Sequence, residues 1–240
     1  MRSYDYWHKL LNIIDITRLN SYIILSGTTE KYFIYSTLGL KPTEQKVKVL
    51  GIGSSMRKNS FSTYTLKNVL EIISVKYKTE ARLLNLLETE LPMYRPSTRF
   101  ENESVKKITS DVNWANVFVL ASPDYHGSMS GTMKNFLDFF WKEFSGKTFG
   151  YIVSSHEKGL TVMDQMRTAV RQCYAWSLPY GVSINEREDL DSNGLIVSKK
   201  LQSRMEMLAR DLVVYGGLIY WQFAKDLDSS EPNTFAHYYL

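Results

Sequence analysis

Hydroxyl groups and cations gather in one short stretch, residues 53–62, which reads GSSMRKNSFS. Gly53 lets the backbone turn sharply, and a helical pattern begins within the stretch. The first amides of a helix point outward, and the helix dipole favours negative charge at that end. Arg57 adds a planar guanidinium and Lys58 a compact positive charge. This combination predicts a site for a phosphate group.

A helix N-cap with additional serines is the alternative interpretation of this stretch. Three better-known phosphate motifs do not fit it. The sequence has no GxxxxGK[ST] pattern, and Gly51-x-Gly53 lacks the third glycine of a dinucleotide fingerprint. The stretch also has no cysteine, which excludes a cysteine-dependent phosphatase at this position. We therefore favour a phosphate site of another type.

A second stretch, residues 122–138, reads SPDYHGSMSGTMKNFLD and is suited to contact a flat ligand. Pro123 stiffens the chain where an apolar run ends, and Gly127 lets a ligand approach the backbone closely. Tyr125 and His126 can line a ring system. The amides near Gly127 can donate to ring heteroatoms. The stretch therefore predicts a site for a planar group.

Both stretches follow apolar runs, and such runs alternate with helical patterns along most of the chain. Strands are predicted near residues 47–53, 81–87, 115–122, 148–154 and 180–184, and helices near 63–75, 103–113, 132–144, 160–174 and 198–215. This alternation predicts an α/β fold, a flavodoxin-like doubly wound parallel sheet of five strands with helices on both faces. In such sheets, ligands bind beyond the carboxyl ends of the strands. We therefore expect the two stretches to meet there, together with the loop after the fourth strand.

The composition is that of a folded protein with a sizeable core. The 240 residues are 44% hydrophobic, and the formal net charge of +4 is spread along the chain. Such a charge permits a small anionic ligand but does not indicate a nucleic-acid partner. The single cysteine, Cys173, excludes an intrachain disulfide and is expected to be a buried thiol. The longest apolar run, residues 212–224, is too short to span a membrane, so we expect a cytoplasmic protein.

Residues 1–45 differ from the rest, because no helical or strand period persists in them. Three interpretations stay open: a targeting segment, an arm that packs on the domain or on a partner subunit, or upstream sequence outside the authentic protein. We favour an extension that is accessory or artefactual. The domain is then expected over residues 46–216, with a C-terminal tail over 217–240.

The two stretches together resemble those of a known family. The serine- and arginine-containing loop, followed by SPDYHGSMSGTMKNFLD, resembles the NAD(P)H-dependent FMN reductases, which include flavin, quinone, chromate and azo reductases. The resemblance covers about residues 46–215. It implies tightly bound FMN, hydride donated by NADPH or NADH, a small-molecule acceptor such as a flavin or quinone, and a homodimer or tetramer. From the mild net charge and the short apolar runs we expect no nucleic-acid or membrane partner.

The resemblance also implies which residues hold FMN. By position, the phosphate group would be held by Ser54, Arg57, Ser60 and Ser62. The isoalloxazine ring would lie against Pro123, Asp124, Tyr125, His126, Gly127, Ser128 and, in the loop after the fourth strand, Ser155. Asn135 and Asp138 match helix positions that are structural or near a subunit interface. The phosphate loop reads Gly-Ser-Ser-Met-Arg, where many members read Gly-Ser-x-Arg, so its register stays open by one residue.

The flavin carries the chemistry in such a reaction, and the protein orients it. No side chain needs to act as an acid or base, so we predict no catalytic residue in the strict sense and no metal site. The main alternative is a flavodoxin-like electron carrier or a redox-sensing flavoprotein, although a carrier is expected to be strongly acidic. A domain that keeps the phosphate site without activity is the third possibility.

Overall fold

The computed structural model describes residues 47–97, 102–191 and 193–239 of the chain. The predicted N-terminal extension, residues 1–45, lies outside these ranges. Within them, strands and helices alternate from Lys48 to Gln172, as the sequence pattern predicts, and two short strands and then two helices follow up to Leu227.

Six strands of the described chain form one parallel sheet. They are β1 (Lys48–Gly53), β2 (Glu80–Asn85), β3 (Val117–Pro123), β4 (Thr148–Ser154), β5 (Trp176–Ser177) and β6 (Val182–Ile184). The order is β2-β1-β3-β4, and both β5 and β6 pair with β4. Gly53 at the end of β1 lies beside Ala121 of β3, and Pro123 lies beside Ser154. The loops after β1, β3 and β4 therefore leave from the same edge of the sheet.

The outer strand of the sheet is split into two segments. β5 pairs with the first two residues of β4, and β6 pairs with its last three. Pro179, which lies between the segments, has no amide to donate to a neighbouring strand. The doubly wound order with five strand positions is confirmed. The single strand expected over 180–184 is shorter, and β5 was not predicted.

Seven α-helices accompany the sheet in the described ranges. They are α1 (Phe61–Tyr77), α2 (Glu103–Trp114), α3 (Gly131–Asp138), α4 (Leu160–Gln172), α5 (Glu186–Asp189), α6 (Lys199–Leu227) and α7 (Phe235–Tyr239). Ser60, Asn102, Ser130 and Ser198 begin α1, α2, α3 and α6, and each side chain accepts a hydrogen bond from the amide three residues on. Such caps satisfy amides that have no partner within the helix.

Two helix ends differ from the sequence prediction. α3 stops at Asp138, and a short 3₁₀ turn, Lys142–Phe144, follows it instead of a continuous helix. α6 continues to Leu227, twelve residues beyond the predicted end at 215. Glycines at 216 and 217 resemble a helix stop, but they serve close packing here: a Cβ on Gly216 would lie 2.6 Å from Val117 Cγ2.

The helices cover both faces of the sheet and create two buried clusters. On one face, α2, α3 and α4 pack on side chains of β1, β3 and β4, including Leu50, Phe118 and Tyr151. On the other face, α1 and α6 pack on the alternate side chains, including Val49 and Val119. The central strand β3 is buried along its whole length, which is expected for a parallel strand covered on both sides.

None of the helices in the described ranges combines the length and the apolar character that crossing a membrane requires.

Candidate functional site

Three loops meet at the carboxyl edge of the sheet, after β1, β3 and β4. β1 and β3 are neighbours in the sheet but are separated in sequence by β2, so the chain reverses its winding direction between them. Such a switch point is where doubly wound sheets hold their ligands. The residues selected from the sequence lie in these three loops or at the strand and helix ends beside them.

Ser54 links the first loop to the second. Its backbone amide and its hydroxyl both donate to the carbonyl of Ala121, each over 3.0 Å. The Ser54 hydroxyl also accepts a hydrogen bond of 2.8 Å from Ser130 Oγ. Since Ser54 is fully buried and its hydroxyl is occupied on both sides, it fixes the start of the first loop.

The other selected serines lie at the start of α1. Ser60 caps this helix, accepting from the amide of Thr63 over 3.3 Å, and its Oγ lies 3.0 Å from Ser62 Oγ. Ser55 Oγ accepts from the amide of Arg57 over 3.3 Å. The Arg57 side chain is exposed beside this helix end. The first turn of α1 has no acidic residue, so this end of the site keeps its positive character.

The second loop contains a tight turn over residues 125–128. Tyr125 and Ser128 exchange backbone hydrogen bonds of 3.0 and 3.2 Å. His126 and Gly127 between them have φ angles of 58° and 76°, the two positive values of a type I′ turn. A Cβ added to Gly127 would contact nothing within 4 Å, and His126, Gly127 and Ser128 are exposed. The turn therefore presents bare backbone at the edge of the sheet.

Asp124 connects this turn to the loop after β4. Its Oδ1 accepts from the amide of Gly127 and its Oδ2 from Ser155 Oγ, each over 2.8 Å. Ser155 Oγ in turn accepts from the amide of Glu157 over 3.0 Å, and the Ser155 amide donates to the carbonyl of Ile184 in β6. Asp124 and Ser155, both selected from the sequence, are thus brought together. Pro123, the last residue of β3, precedes them.

Three polar side chains that the sequence did not single out complete these loops. Ser130 and Thr132 both donate to the carbonyl of Ser54. Gln165 of α4 accepts from the amide of Met129. A hydroxyl at a helix start signals a cap, but nothing in the sequence signals a bond between loops that are 76 residues apart. Gln165 has no local signal, because its role depends on how α4 packs.

Asn135 of α3 is structural, which was one of the two expectations for it. Its Oδ1 accepts from the amide of Tyr94 over 2.8 Å, and its Nδ2 donates to the carbonyl of Pro92 over 2.9 Å. These bonds fasten the loop after β2 to α3. Asp138 forms an exposed ion pair with Lys134 on the same helix.

Burial raises the pKa of a thiol and a phenol in the described residues. Burial raises the pKa of the Cys173 thiol, which disfavours the reactive thiolate form. Burial also raises the pKa of Tyr151, whose hydroxyl bonds Ser177 Oγ. Within the ranges that the structure describes, no three His, Cys, Asp or Glu side chains lie close enough to hold a metal ion.

Comparison with known proteins gives a family match and curated relatives, among them an azoreductase and an FMN reductase. A family model described as NADPH-dependent FMN reductase matches residues 47–189. An NADPH azoreductase from Bacillus sp. (strain OY1-2) is 31% identical over 110 residues, 44% of this chain and 62% of the relative. The match thus spans less than two thirds of that relative. The NADPH-dependent FMN reductase ArsH from Shigella flexneri is 22% identical over 190 residues, 76% of this chain and 73% of the relative.

A solved structure supports the fold. An oxidoreductase from Corynebacterium diphtheriae superposes with a TM-score of 0.61 at 18% identity, covering 72% of this chain and 99% of that one. At this identity the likeness concerns the fold, and it agrees with the doubly wound sheet described above.

Proposed function

This chain belongs to the NADPH-dependent FMN reductase family, and from that premise we propose that it is an NAD(P)H-dependent oxidoreductase with bound FMN. It takes hydride from NADPH or NADH and passes electrons to a small-molecule acceptor such as a flavin or quinone. The observation that carries this proposal is the meeting of two complementary loops at the switch point. A cationic helix start suits the phosphate, and a turn with uncovered backbone suits the ring.

The residues present fit FMN on two counts. The start of α1 combines free helix amides, the exposed Arg57 and a first turn without acidic side chains. At Gly127 the backbone has no side chain above it, which lets a flat ring approach closely. Bound FMN would supply the hydride-accepting chemistry.

We assign the phosphate contacts to Arg57 and Ser60 with the amides of α1. Ser54 and Ser62, which are fully buried, act by fixing the loop. The Ser55 hydroxyl accepts from the backbone amide of Arg57, so Ser55 also helps to shape this loop.

The ring contacts are assigned to the chain from Pro123 to Ser128, with Ser155 supporting it. Asp124 orients the amide of Gly127 and holds the loop after β4 through Ser155. Tyr125 and His126 flank the bare backbone of the turn. These residues bind and orient, and none is assigned as an acid or base.

We also propose a cytoplasmic homo-oligomer. Trp141, which follows α3, and Trp176, in the edge strand β5, are about half exposed (53% and 50%), which is unusual for tryptophan and suits a subunit contact. Light scattering on the purified chain tests the oligomeric state.

Visible absorption during anaerobic titration with NADPH, and separately with NADH, tests the main proposal. Flavin bands that bleach with either nucleotide are expected, and the ratio of kcat/KM values then gives the preferred donor. Bands that persist with both nucleotides would favour the electron-carrier alternative, which the net charge of +4 does not suggest. Absence of flavin after incubation with FMN would show that the proposal is wrong.

A further inference from the structure

We propose that Gln165 is a positioning residue that holds the turn over residues 125–128 in its ligand-facing conformation. This inference rests on the proposed function and extends it to a side chain outside the three loops. Gln165 lies in α4, half-buried, two helical turns from the loop after β4. Its carboxamide nevertheless reaches the back of the turn.

The Gln165 carboxamide makes three hydrogen bonds to consecutive residues. Its Oε1 accepts from the amide of Met129 over 3.1 Å. Its Nε2 donates to the carbonyl of Gly127 over 3.3 Å and to Ser128 Oγ over 3.2 Å. A carboxamide has a donor and an acceptor in one plane. One side chain can therefore bond both an N–H group and a C=O group of the same backbone segment.

Gly127 is thereby held at both ends of its backbone. Its amide donates to Asp124 Oδ1 from one side, and its carbonyl accepts from Gln165 Nε2 on the other. Glycine has more accessible conformations than other residues, so these two partners restrict the turn further than the backbone bonds between Tyr125 and Ser128 do alone. The side chains of Asp124 and Gln165 thus hydrogen-bond the amide and the carbonyl of the same glycine, Gly127.

The position of this turn matters for the proposed reaction. Polar groups that are fixed before the ligand binds stabilise developing charge better than groups that must reorganise. The hydrogen bonds around a bound flavin also tune its electron affinity. Loosening the turn is therefore expected to change FMN affinity, the visible spectrum and the reduction potential, in addition to the local stability of the turn.

Two substitutions at Gln165 and one matched control test this inference in the full chain. Gln165→Ala removes all three hydrogen bonds. Gln165→Glu keeps the size and the acceptor for Met129, but it puts an oxygen against the Gly127 carbonyl. Gln172→Ala removes an exposed glutamine at the end of the same helix. Amide exchange at Met129 without FMN, the FMN dissociation constant, the visible spectrum and the reduction potential are measured for each.

Both Gln165 variants are expected to weaken FMN binding about tenfold or more, since each loses hydrogen bonds to the turn. They should also shift the flavin bands and the reduction potential, whereas Gln172→Ala should match the parent protein. Faster exchange of the Met129 amide is expected in Gln165→Ala. Because Gln165→Glu preserves volume, it keeps the test valid if Gln165→Ala does not fold.

Two results would overturn the inference and are distinguishable. If the parent binds and reduces FMN and both Gln165 variants match Gln172→Ala in affinity, spectrum and potential, Gln165 has no positioning role and the proposed function stands. If the parent binds no FMN, the proposed function is wrong and the inference is wrong with it.

Discussion

At the residue scale, side chains of one type have separate tasks that the sequence does not distinguish. Four serines of the first loop look equivalent as phosphate ligands. In the structure, Ser54 is consumed by bonds to Ala121 and Ser130, and Ser60 and Ser62 bond each other. The phosphate site stays a prediction. The bonds that occupy Ser54 could not be predicted from the sequence, because their partners are distant in sequence.

Arg57 gives the sharpest test of the phosphate site. Arg57→Ala removes an exposed guanidinium, so the fold should be unaffected. Charge-assisted hydrogen bonds contribute about 1.5–3 kcal/mol, so the FMN dissociation constant should rise roughly ten- to a hundredfold. Fluorescence titration measures it. Riboflavin, which lacks the phosphate, should bind the variant and the parent equally.

Lys67→Ala is the matched control for this prediction, because Lys67 is an exposed cation further along the same helix. It should leave FMN affinity within about twofold of the parent, since only a weak long-range charge is lost. Equal losses of FMN affinity for both variants would indicate a general charge effect and contradict a phosphate contact at Arg57.

Lys147 is a half-buried cation whose charged form is favoured by the Glu143 carboxylate and disfavoured more strongly by burial. Its Nζ donates to the carbonyl of Val112 over 2.8 Å and lies 5.4 Å from the centre of the Phe118 ring. Burial lowers the pKa of Lys147 to about 8. The folded chain thus releases this proton at lower pH than the unfolded chain, and its contribution to stability grows as pH rises above about 8.

Lys147→Met should remove this pH dependence. Between about pH 7.5 and about pH 9, the parent should gain on the order of 1 kcal/mol relative to the variant in the free energy of unfolding. Urea denaturation at both values measures the difference. Lys200→Met, at an exposed position of α6, serves as the control. If the difference in the free energy of unfolding between the parent and Lys147→Met is the same at both pH values, the pKa of Lys147 is not lowered by folding.

At the scale of elements, the alternation of strands and helices was predictable from the sequence. The split of the outer strand and the end of α6 were not. All five strand positions and five of the helices follow from hydrophobic runs of the correct length. The split of the outer strand and the extension of α6 past Gly216 are set by packing, since the glycine allows close contact with Val117. A sequence pattern shows that a glycine is present but not which neighbour approaches it.

A partly buried polar contact joins the segment between β5 and β6 to α6. The Tyr180 hydroxyl, between β5 and β6, donates to Asp211 Oδ2 over 2.8 Å, and Arg210 pairs with Asp211 Oδ1. β6 in turn holds the loop after β4, because the carbonyl of Ile184 accepts from the amide of Ser155. The bond between Tyr180 and Asp211 therefore helps to hold the loop after β4, which forms part of the candidate site.

Tyr180→Phe should lower the free energy of unfolding by about 1–2 kcal/mol, since it removes a hydrogen bond to a buried carboxylate. FMN affinity should fall a few-fold at most, through the loop after β4. Urea denaturation and FMN titration measure the two effects. Tyr64→Phe, in α1, is the control with the same atoms removed. Unchanged stability in Tyr180→Phe would show that the Asp211 contact does not hold the strand.

At the scale of the whole molecule, the candidate site exists because the sheet brings distant loops together. The fold class and the location of the site were predictable, since parallel strands end at a common edge. The bonds that lock the loops to one another were not predictable. The bonds between Ser54 and Ser130, and between Gly127 and Gln165, join residues that are distant in sequence and that only the fold brings together.

The proposed domain boundary can be tested by removing residues 1–45. The family match begins at residue 47, and Val47 packs beside the buried cluster that α1 and α6 share, so a cut before Lys46 leaves this contact intact. All residues assigned to FMN lie beyond the cut. The shortened chain should therefore bind FMN and be reduced by NADPH as the full chain is, within about twofold, because no proposed contact is lost.

Calorimetric titration with FMN and anaerobic reduction compare the two chains. A large loss of FMN affinity in a shortened chain that still unfolds cooperatively would show that residues 1–45 belong to the site, and that they are not accessory.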